Sequence, residues 1–203
     1  MPDVEVSCGD IFDVGADAIT SPSNSFAHLN GGIDGIYTRR FGVQLENRLQ
    51  AYLEQHWDGE LPVGCAVIID IGIQDKYKYL ISAPTMRVPM NISGSVNPYM
   101  AFRATLQAVK KFNINAKIHA DKENKLWCDT EKYIPVEPKV INSILCPGLG
   151  TAVGGMDVNI AAFQMRAAYD SIQKPKPIPD LHICWALHES LRRGVPLPEE
   201  EDE

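Results

Sequence analysis

Residues 17–35 read DAITSPSNSFAHLNGGIDG, a short apolar run followed by a loop with two adjacent glycines. The run Ala18-Ile19-Thr20 predicts a β-strand, and from Ile36 onward apolar residues at three- and four-residue spacing predict a helix that is interrupted near Gly42. Glycine allows positive φ and close approach of a ligand, and the free N–H groups at a helix start attract anions. This strand–loop–helix unit therefore predicts an α/β fold with a phosphate-binding loop.

A second unit of the same kind lies further along the chain. Residues 140–146 predict a buried strand, residues 147–156 read PGLGTAVGGM, and residues 158–172 predict a helix. In open α/β sheets such loops lie at the carboxyl ends of strands, where ligands bind. Each loop alone is weak evidence, but two together favour a pyrophosphate held from both sides. Neither loop is a Walker loop or a Rossmann fingerprint, because no Gly-Lys-Ser/Thr and no G-x-G-x-x-G follows the strands.

The remaining elements predict a largely parallel sheet covered by helices on both faces. The apolar run 66–69 is expected to form a central strand that is buried on both faces. Residues 113–139 are interpreted as an excursion between a helix and a strand. The other predicted elements are strands at 4–8 and 79–83, helices at 99–112 and 180–193, and a proline-rich connector at 174–179.

Composition bounds the class of protein. The 203 residues are 45% hydrophobic and 22% charged, which suits one globular domain. The net charge is −7, with an acidic tail at 199–203, so nucleic acid is not expected as the main partner.

The start of the chain lacks the features of a signal peptide, and the apolar runs are far shorter than the about 20 residues of a membrane span. The five scattered cysteines predict reduced thiols without a structural zinc site. We therefore expect a cytoplasmic or nuclear protein.

Four motifs, in the same order along the chain, resemble those of the macro domain family. Residues 9–11 resemble the family's opening G-D-I, residues 17–24 its D-A-I-V-N-A-A-N, residues 29–36 its L-x-G-G-G-V-D-G-A-I, and residues 149–155 its second phosphate loop. The resemblance covers about residues 4–172. It implies a three-layer α/β/α fold with a mixed, largely parallel central sheet. We assign residues 1–173 to this domain, with a probable insertion at 113–139, residues 174–198 to a proline-rich connector and a C-terminal helix, and 199–203 to the acidic tail.

The resemblance also implies a site for ADP-ribose. Asp10 would accept a hydrogen bond from the adenine amino group, and the backbone of Ile11 would donate one. The alternative interpretation of Asp10 is a turn or helix-cap residue. The diphosphate would lie between Gly31, Gly32 and Ile33 on one side and a second set of residues on the other. That second set is Gly148, Leu149, Gly150, Thr151, Ala152, Val153 and Gly154.

Two residues match the catalytic positions of the family's hydrolytic members. Asn24 would orient the hydroxyls of the distal ribose, and Asp34 would polarise a water or a ribose hydroxyl. The alternative is that Asn24 caps a turn and Asp34 caps the following helix. The chain departs from the family pattern at Ser21, where the family often has Asn, and at Ala152, where it has Gly. The second loop also lacks the aromatic residue that many members stack on the distal ribose, and the first loop has only two consecutive glycines.

The leading prediction is an enzyme that hydrolyses ADP-ribosyl esters, either on mono-ADP-ribosylated acidic side chains or in O-acetyl-ADP-ribose. The alternatives are a non-catalytic reader of ADP-ribosylated proteins and an ADP-ribose 1″-phosphate phosphatase. We expect no cofactor, no metal and a monomer whose partner is ADP-ribose or an ADP-ribosylated protein. His28 and Arg87 are interpreted mainly as surface residues. Tyr99, Arg103, Trp127 and Trp185 are interpreted as structural residues.

Overall fold

The computed structural model of the chain describes residues 3–72, 75–121, 139–173 and 177–197, with residues 117–121 described by their backbone alone. The sheet has four strands, β1 (Ala18–Ser21), β2 (Val67–Asp70), β3 (Tyr79–Ser82) and β4 (Ile144–Leu145). Their order in the sheet is β2-β3-β1-β4. Strand β1 is parallel to both of its neighbours, β3 and β4, whereas β2 is antiparallel to β3. The sheet is therefore mixed and largely parallel, as the sequence predicts.

The described residues also form helices α1 to α5 and a short 3-10 helix at Ile11–Asp13. Gly42 ends the first helix with φ 88°, a conformation that glycine adopts at little cost. The predicted interruption near Gly42 is therefore confirmed. The helices are α1 (Gly32–Phe41), α2 (Gln44–His56), α3 (Asn97–Asp121), α4 (Val158–Gln173) and α5 (Leu181–Arg193).

The sheet lies between two layers of helices. Successive side chains of a strand point to opposite faces. On one face, Ile19 packs in a cluster that contains Leu45 and Leu49 of α2. On the other face, Ala18 packs in a cluster that contains Val109 of α3. The three-layer α/β/α prediction is therefore confirmed.

Three strand predictions are wrong in detail. Residues 4–8 form no strand, and Val6 is 89% exposed, because the run pairs with no strand in the described sheet. The run near 66–69 is an edge strand of this sheet, not a central one. The strand at 140–146 pairs over two residues only. There, the carboxylate of Asp17 accepts hydrogen bonds from the backbone N–H groups of Asn142 (2.7 Å) and Ser143 (3.0 Å), which takes the place of a longer ladder.

The third helix is longer than predicted and continues to Asp121, so it includes the first part of the range 113–139. Residues 122–138, 174–176 and 198–203 lie outside the described residues. The last helix begins after Asp180, close to its predicted start, and contacts α4 where Gln164 donates to the carbonyl of Leu191 (3.1 Å). Of the helices within the described ranges, none has the length and hydropathy needed to cross a membrane.

Candidate functional site

Two glycine-rich loops leave the sheet at the same edge. We name residues 22–31 the first loop and residues 147–156 the second loop. Ala18 pairs with Ile144 in parallel register, so β1 and β4 run side by side toward these loops. Asn24 also forms a single parallel bridge with Met86, just beyond β3. The two loops therefore flank the carboxyl ends of neighbouring parallel strands, the usual ligand position in such sheets.

The side chain of Asn24 holds the first loop in shape. Its Oδ1 accepts hydrogen bonds from the N–H groups of Phe26 (3.1 Å) and His28 (3.3 Å), and its Nδ2 donates to the His28 carbonyl (2.9 Å). These bonds enclose Ala27, which is buried and has φ 57°. A non-glycine residue in this region is strained and needs such support. The turn-capping contact of Asn24 is thus present, and its action on a ribose stays a prediction.

The first loop ends at two glycines that face open space. Gly31 is the N-cap residue of α1 and has no side chain that could cap the helix. A Cβ atom at Gly31 or Gly32 would meet nothing within 4 Å. Gly32 has φ 52°, which favours glycine, but Gly31 has φ −134°, which any residue adopts. Neither packing nor backbone conformation therefore requires glycine at 31, where unpaired N–H groups begin the helix.

Asp34 lies in the first turn of α1, next to these glycines, and is 9% exposed. The Ser21 hydroxyl donates a hydrogen bond to its Oδ1 at 2.6 Å. Burial raises the pKa of Asp34 to about 6, and the hydrogen bond from Ser21 acts against this rise. The alternative in which Asp34 caps the helix is not what the structure shows, because Gly31 is the N-cap residue. The result is a carboxyl group that can exchange a proton near neutral pH.

The second oxygen of Asp34, Oδ2, is in contact with solvent. Among buried side-chain oxygen and nitrogen atoms in the described ranges, the atom without a partner is Thr20 Oγ1. Asp34 Oδ2 is not such an atom, although no described residue donates a hydrogen bond to it. It therefore keeps contact with solvent, while Oδ1 is held by Ser21.

Tyr37, which interacts with Asp34, and Cys146, which interacts with Tyr37, are both neutral at pH 7. The hydroxyl of Tyr37 donates to the carbonyl of Thr20 at 3.1 Å. Burial raises the pKa of Tyr37, and the negative charge of Asp34 raises it further. Burial also raises the pKa of Cys146 to about 12. Neither group supplies a positive charge that would lower the pKa of Asp34.

The glycines of the second loop are required by packing. Gly150 has φ 73°, and a Cβ atom there would lie 2.8 Å from Ile92 Cδ1. A Cβ at Gly154 would lie 2.5 Å from the Gly150 carbonyl oxygen and 2.7 Å from Ile92 Cγ1. The N–H of Ile92 also donates to the Gly154 carbonyl at 2.8 Å. Ile92 therefore braces this loop from the protein side, and the loop has little freedom to adjust.

The other predicted residues of the second loop divide between core and surface. Leu149 is fully buried and packs with α3 and α4 residues. The Thr151 hydroxyl donates to the Gly148 carbonyl at 3.1 Å and tightens the turn. Ala152 and Val153 are exposed, Val153 to 58%. Ala152, which departs from the family pattern, therefore lies on the surface of the loop.

The segment predicted to bind adenine is a turn at the surface, and hydrogen bonds from Tyr77 hold it in place. Asp10 caps the 3-10 helix, with Oδ1 accepting from the Phe12 N–H at 2.9 Å. The Tyr77 hydroxyl donates to the carbonyls of Ile11 (3.2 Å) and Val14 (2.5 Å). The capping interpretation of Asp10 is thus present as a contact. Its bond to an adenine amino group stays a prediction.

The side chain of Arg87 is paired with Glu60. Its guanidinium makes a two-pronged ion pair with Glu60, at 2.7 and 2.9 Å, and lies over the ring of Phe26. This agrees with its interpretation as a surface residue. His28 is exposed beside Glu46, and Trp185 is 63% exposed, so the interpretation of Trp185 as a packing residue is wrong.

Tyr99 and Arg103 line a small surface pocket on α3 together with Gly64 and Met100. Trp127 lies outside the described residues. Over the described ranges, no group of three or more His, Cys, Asp or Glu is placed to hold a metal ion.

Two residues that shape the site were not predicted for these roles. Ser21 was noted as a departure from the family pattern, without a partner. Ile92 gave no signal, because it lies in an ordinary loop far from the second loop in sequence. A serine at the end of a strand that leads to a candidate catalytic loop is the one signal that could have indicated the bond to Asp34.

Comparison with known proteins identifies the class. The family model described as Macro domain matches residues 20–165, and the chain therefore belongs to the macro domain family. An uncharacterized protein of Aquifex aeolicus (strain VF5) is 31% identical over 175 residues, which are 86% of this chain and 84% of the relative.

Solved structures agree with this assignment at the level of the fold. The macrodomain of Mycobacterium tuberculosis DarG is similar with a TM-score of 0.57 and 19% identity, over 82% of this chain and 89% of that one. A mutant of the Oceanobacillus iheyensis macrodomain, solved with ADPR, gives a TM-score of 0.59 and 16% identity, over 84% and 77%.

Proposed function

We propose that the chain binds an ADP-ribosyl group between the first and second loops and hydrolyses its ester bond. The expected substrates are mono-ADP-ribosylated acidic side chains and O-acetyl-ADP-ribose. One observation carries the proposal. The backbone at Gly31 and Gly32 faces open space, and it lies at the same helical turn as the buried carboxyl group of Asp34. An anion held by the glycines would bring the rest of the ligand within reach of the acid.

The binding part of the proposal depends on backbone groups. The N–H groups at the start of α1 are directed out of the helix and, with the helix dipole, favour a phosphate without lysine or arginine. Glycine at 31 leaves the space that a phosphate would occupy. The comparison structure of the Oceanobacillus iheyensis macrodomain, which is solved with ADPR, supports this choice of ligand.

The chemical part depends on Asp34. Above a pH of about 6 its carboxylate is ionised and can accept a proton from a water molecule. The water oxygen then forms a bond to the ester carbonyl carbon, the bond between that carbon and the ribose oxygen breaks, and the ribose oxygen takes the proton that Asp34 accepted. The products are ADP-ribose and a carboxylic acid, which ionises to its carboxylate by releasing a proton to solvent. General-base assistance of this kind contributes about a hundred- to ten-thousand-fold in rate.

The reader function is the second candidate, and the hydrogen bonds of Asn24 favour it. Both polar atoms of that side chain already bond within the first loop. An amide used in this way is less free to orient a ribose. A protein of this kind would bind the ADP-ribosyl group and release it unchanged.

The binding test compares two glycine variants by calorimetric titration with ADP-ribose, with AMP as a weaker-binding control. Gly31 and Gly94 share open surroundings and an ordinary backbone conformation, so neither added methyl group should clash. Gly31→Ala should lose up to about 1 kcal/mol of stability, because alanine is a poorer N-cap residue than glycine, and urea unfolding of both variants measures this loss. We expect Gly31→Ala to lose affinity at least about tenfold because the added methyl group fills the phosphate position. Gly94→Ala should bind like the wild type. Equal affinity of Gly31→Ala and the wild type would show that the ligand does not lie at this helix.

The turnover test incubates the wild type and Asp34→Asn with a protein that is mono-ADP-ribosylated on acidic side chains. Release of ADP-ribose by the wild type, with loss of release and retained affinity in Asp34→Asn, is the expected result. Binding without release by the wild type would establish the reader function. Full turnover by Asp34→Asn would remove Asp34 from the mechanism.

A further inference from the structure

Ser21 joins the sheet to Asp34 by a hydrogen bond. It is the last residue of β1, it is fully buried, and it pairs with Ser82 of β3. The N–H of Ala83 also donates to the Ser21 carbonyl at 3.0 Å, so the backbone of Ser21 is fixed on the β3 side and its hydroxyl has a defined origin. From there it donates to Asp34 Oδ1 at 2.6 Å, a short bond of the kind made to a charged acceptor.

The bond distinguishes the two oxygens of the carboxyl group. Oδ1 is occupied by Ser21, and Oδ2 accepts no hydrogen bond from the described residues yet keeps contact with solvent. Rotation of the carboxyl group would break the bond to Ser21 inside the protein, where no water replaces it at once. Oδ1 is therefore fixed toward β1, and Oδ2 is the oxygen that no described side chain holds.

No other described group does the same work. Tyr37, on the same helix, donates to the Thr20 carbonyl instead, and Cys146, which follows β4, is a neutral thiol that interacts with Tyr37. Neither carries a positive charge. Ser21 is thus the group that both orients the Asp34 carboxyl group and stabilises its ionised form.

We propose that Ser21 is a positioning residue for the reaction, which fixes one oxygen of Asp34 and so directs the other oxygen toward the bound ester. This inference rests on the proposed hydrolysis, and it concerns a position at which the chain departs from the family pattern.

The test measures the pH dependence of turnover in three variants. Ser21→Ala removes the donor, Ser21→Thr keeps a hydroxyl on a residue that suits a strand, and Thr105→Val is the control. Thr105 is also buried, and its hydroxyl donates to the Ala101 carbonyl at 3.0 Å, but it lies on α3 outside both loops. We expect Ser21→Ala to lower kcat by about tenfold to a hundredfold with little change in KM, as for a misplaced reacting group.

The pH profile separates positioning from a merely structural role. Turnover should rise as Asp34 ionises, and loss of the Ser21 donor should move that rise to higher pH, because the hydrogen bond lowers the pKa. Ser21→Thr should restore the wild-type profile, and Thr105→Val should leave it in place. An unchanged profile in Ser21→Ala, or an equal loss of kcat in Ser21→Ala and Thr105→Val, would overturn the proposal.

A second measurement separates this proposal from the proposed function. The carboxyl carbon of Asp34 is followed by NMR through a pH titration, with its signal assigned by its absence in Asp34→Asn. The titration midpoint should move upward in Ser21→Ala. If the wild type releases no ADP-ribose while the midpoint still moves, the hydrolysis fails and the hydrogen bond stands. If the midpoint does not move, the Ser21 proposal fails whatever the turnover.

Discussion

The Asp34→Asn substitution removes a buried charge while it keeps an oxygen that can accept the Ser21 hydrogen bond. In the folded chain the pKa of Asp34 is about 6, against 3.8 as the ordinary value. Below 3.8 the side chain is neutral in both the folded and the unfolded state. Between 3.8 and about 6 the unfolded chain loses this proton and the folded chain keeps it, so the wild type loses stability as the pH rises. Above about 6 the loss is complete.

The size of the effect follows from the shift. A difference of roughly 2 pKa units, at 1.36 kcal/mol each, corresponds to about 3 kcal/mol. The asparagine variant has no carboxyl group to titrate and escapes this loss. It should therefore match the wild type near pH 4 and exceed its free energy of unfolding by about 3 kcal/mol at pH 7. A gain of stability on loss of a proposed catalytic residue is itself typical of active sites.

Urea unfolding of both proteins between pH 4 and pH 8 measures this difference directly. The Glu60→Gln variant is a control of opposite sign. The hydrogen bond and charge of Arg87 lower the pKa of Glu60, so the wild type is stabilised at neutral pH and loses that stability as the pH falls. Glu60→Gln should therefore be the less stable protein at pH 7. A difference between wild type and Asp34→Asn that stays constant with pH would refute the argument that Asp34 is buried and ionises late.

Three further changes test the framework around the site. Gly154→Ala should lower the free energy of unfolding by about 1–3 kcal/mol, because its Cβ would lie 2.5 Å from the Gly150 carbonyl oxygen; an unchanged midpoint in thermal unfolding would contradict this. Ile92→Ala should cost about 2–5 kcal/mol in urea unfolding through the cavity it leaves beneath the second loop, and a loss below that range would mean that the loop does not depend on this brace. Tyr77→Phe should cost about 1 kcal/mol through its lost hydrogen bonds, and faster hydrogen exchange around residue 11 should accompany it.

Much of the fold could be predicted because its signals are local. The apolar spacing of α1 and α2, the interruption at Gly42 and the start of α5 near Asp180 each depend on neighbouring residues. The strand errors have the opposite origin. Whether residues 4–8 pair, and how far the strand before Cys146 extends, depends on what lies alongside, and Asp17 supplies bonds that a strand would otherwise supply. Pairing is a property of the assembled sheet and not of the run of residues.

The site divides in the same way. The positions of Asn24 and Asp34 follow from motif spacing, since both lie in one strand–loop–helix unit. The bond between Ser21 and Asp34 joins the two ends of that unit, and it requires the loop to fold back on the strand. The packing of Ile92 against the second loop could not be predicted from the sequence, because it joins segments about 60 residues apart. Contacts of this kind are fixed by topology.

The two glycine-rich loops look alike in sequence but have glycine for different reasons. In the second loop a side chain at Gly150 or Gly154 would collide with the protein itself, so the fold accounts for both residues. In the first loop a side chain at Gly31 would collide with nothing, so the fold leaves that glycine unexplained. A residue that the protein does not require is the better evidence for a ligand. It follows that variants of the second loop lose binding and stability together, whereas Gly31→Ala loses only the small stability that glycine gives over alanine at an N-cap. A large loss of affinity in Gly31→Ala with a small loss of stability therefore reports on the ligand.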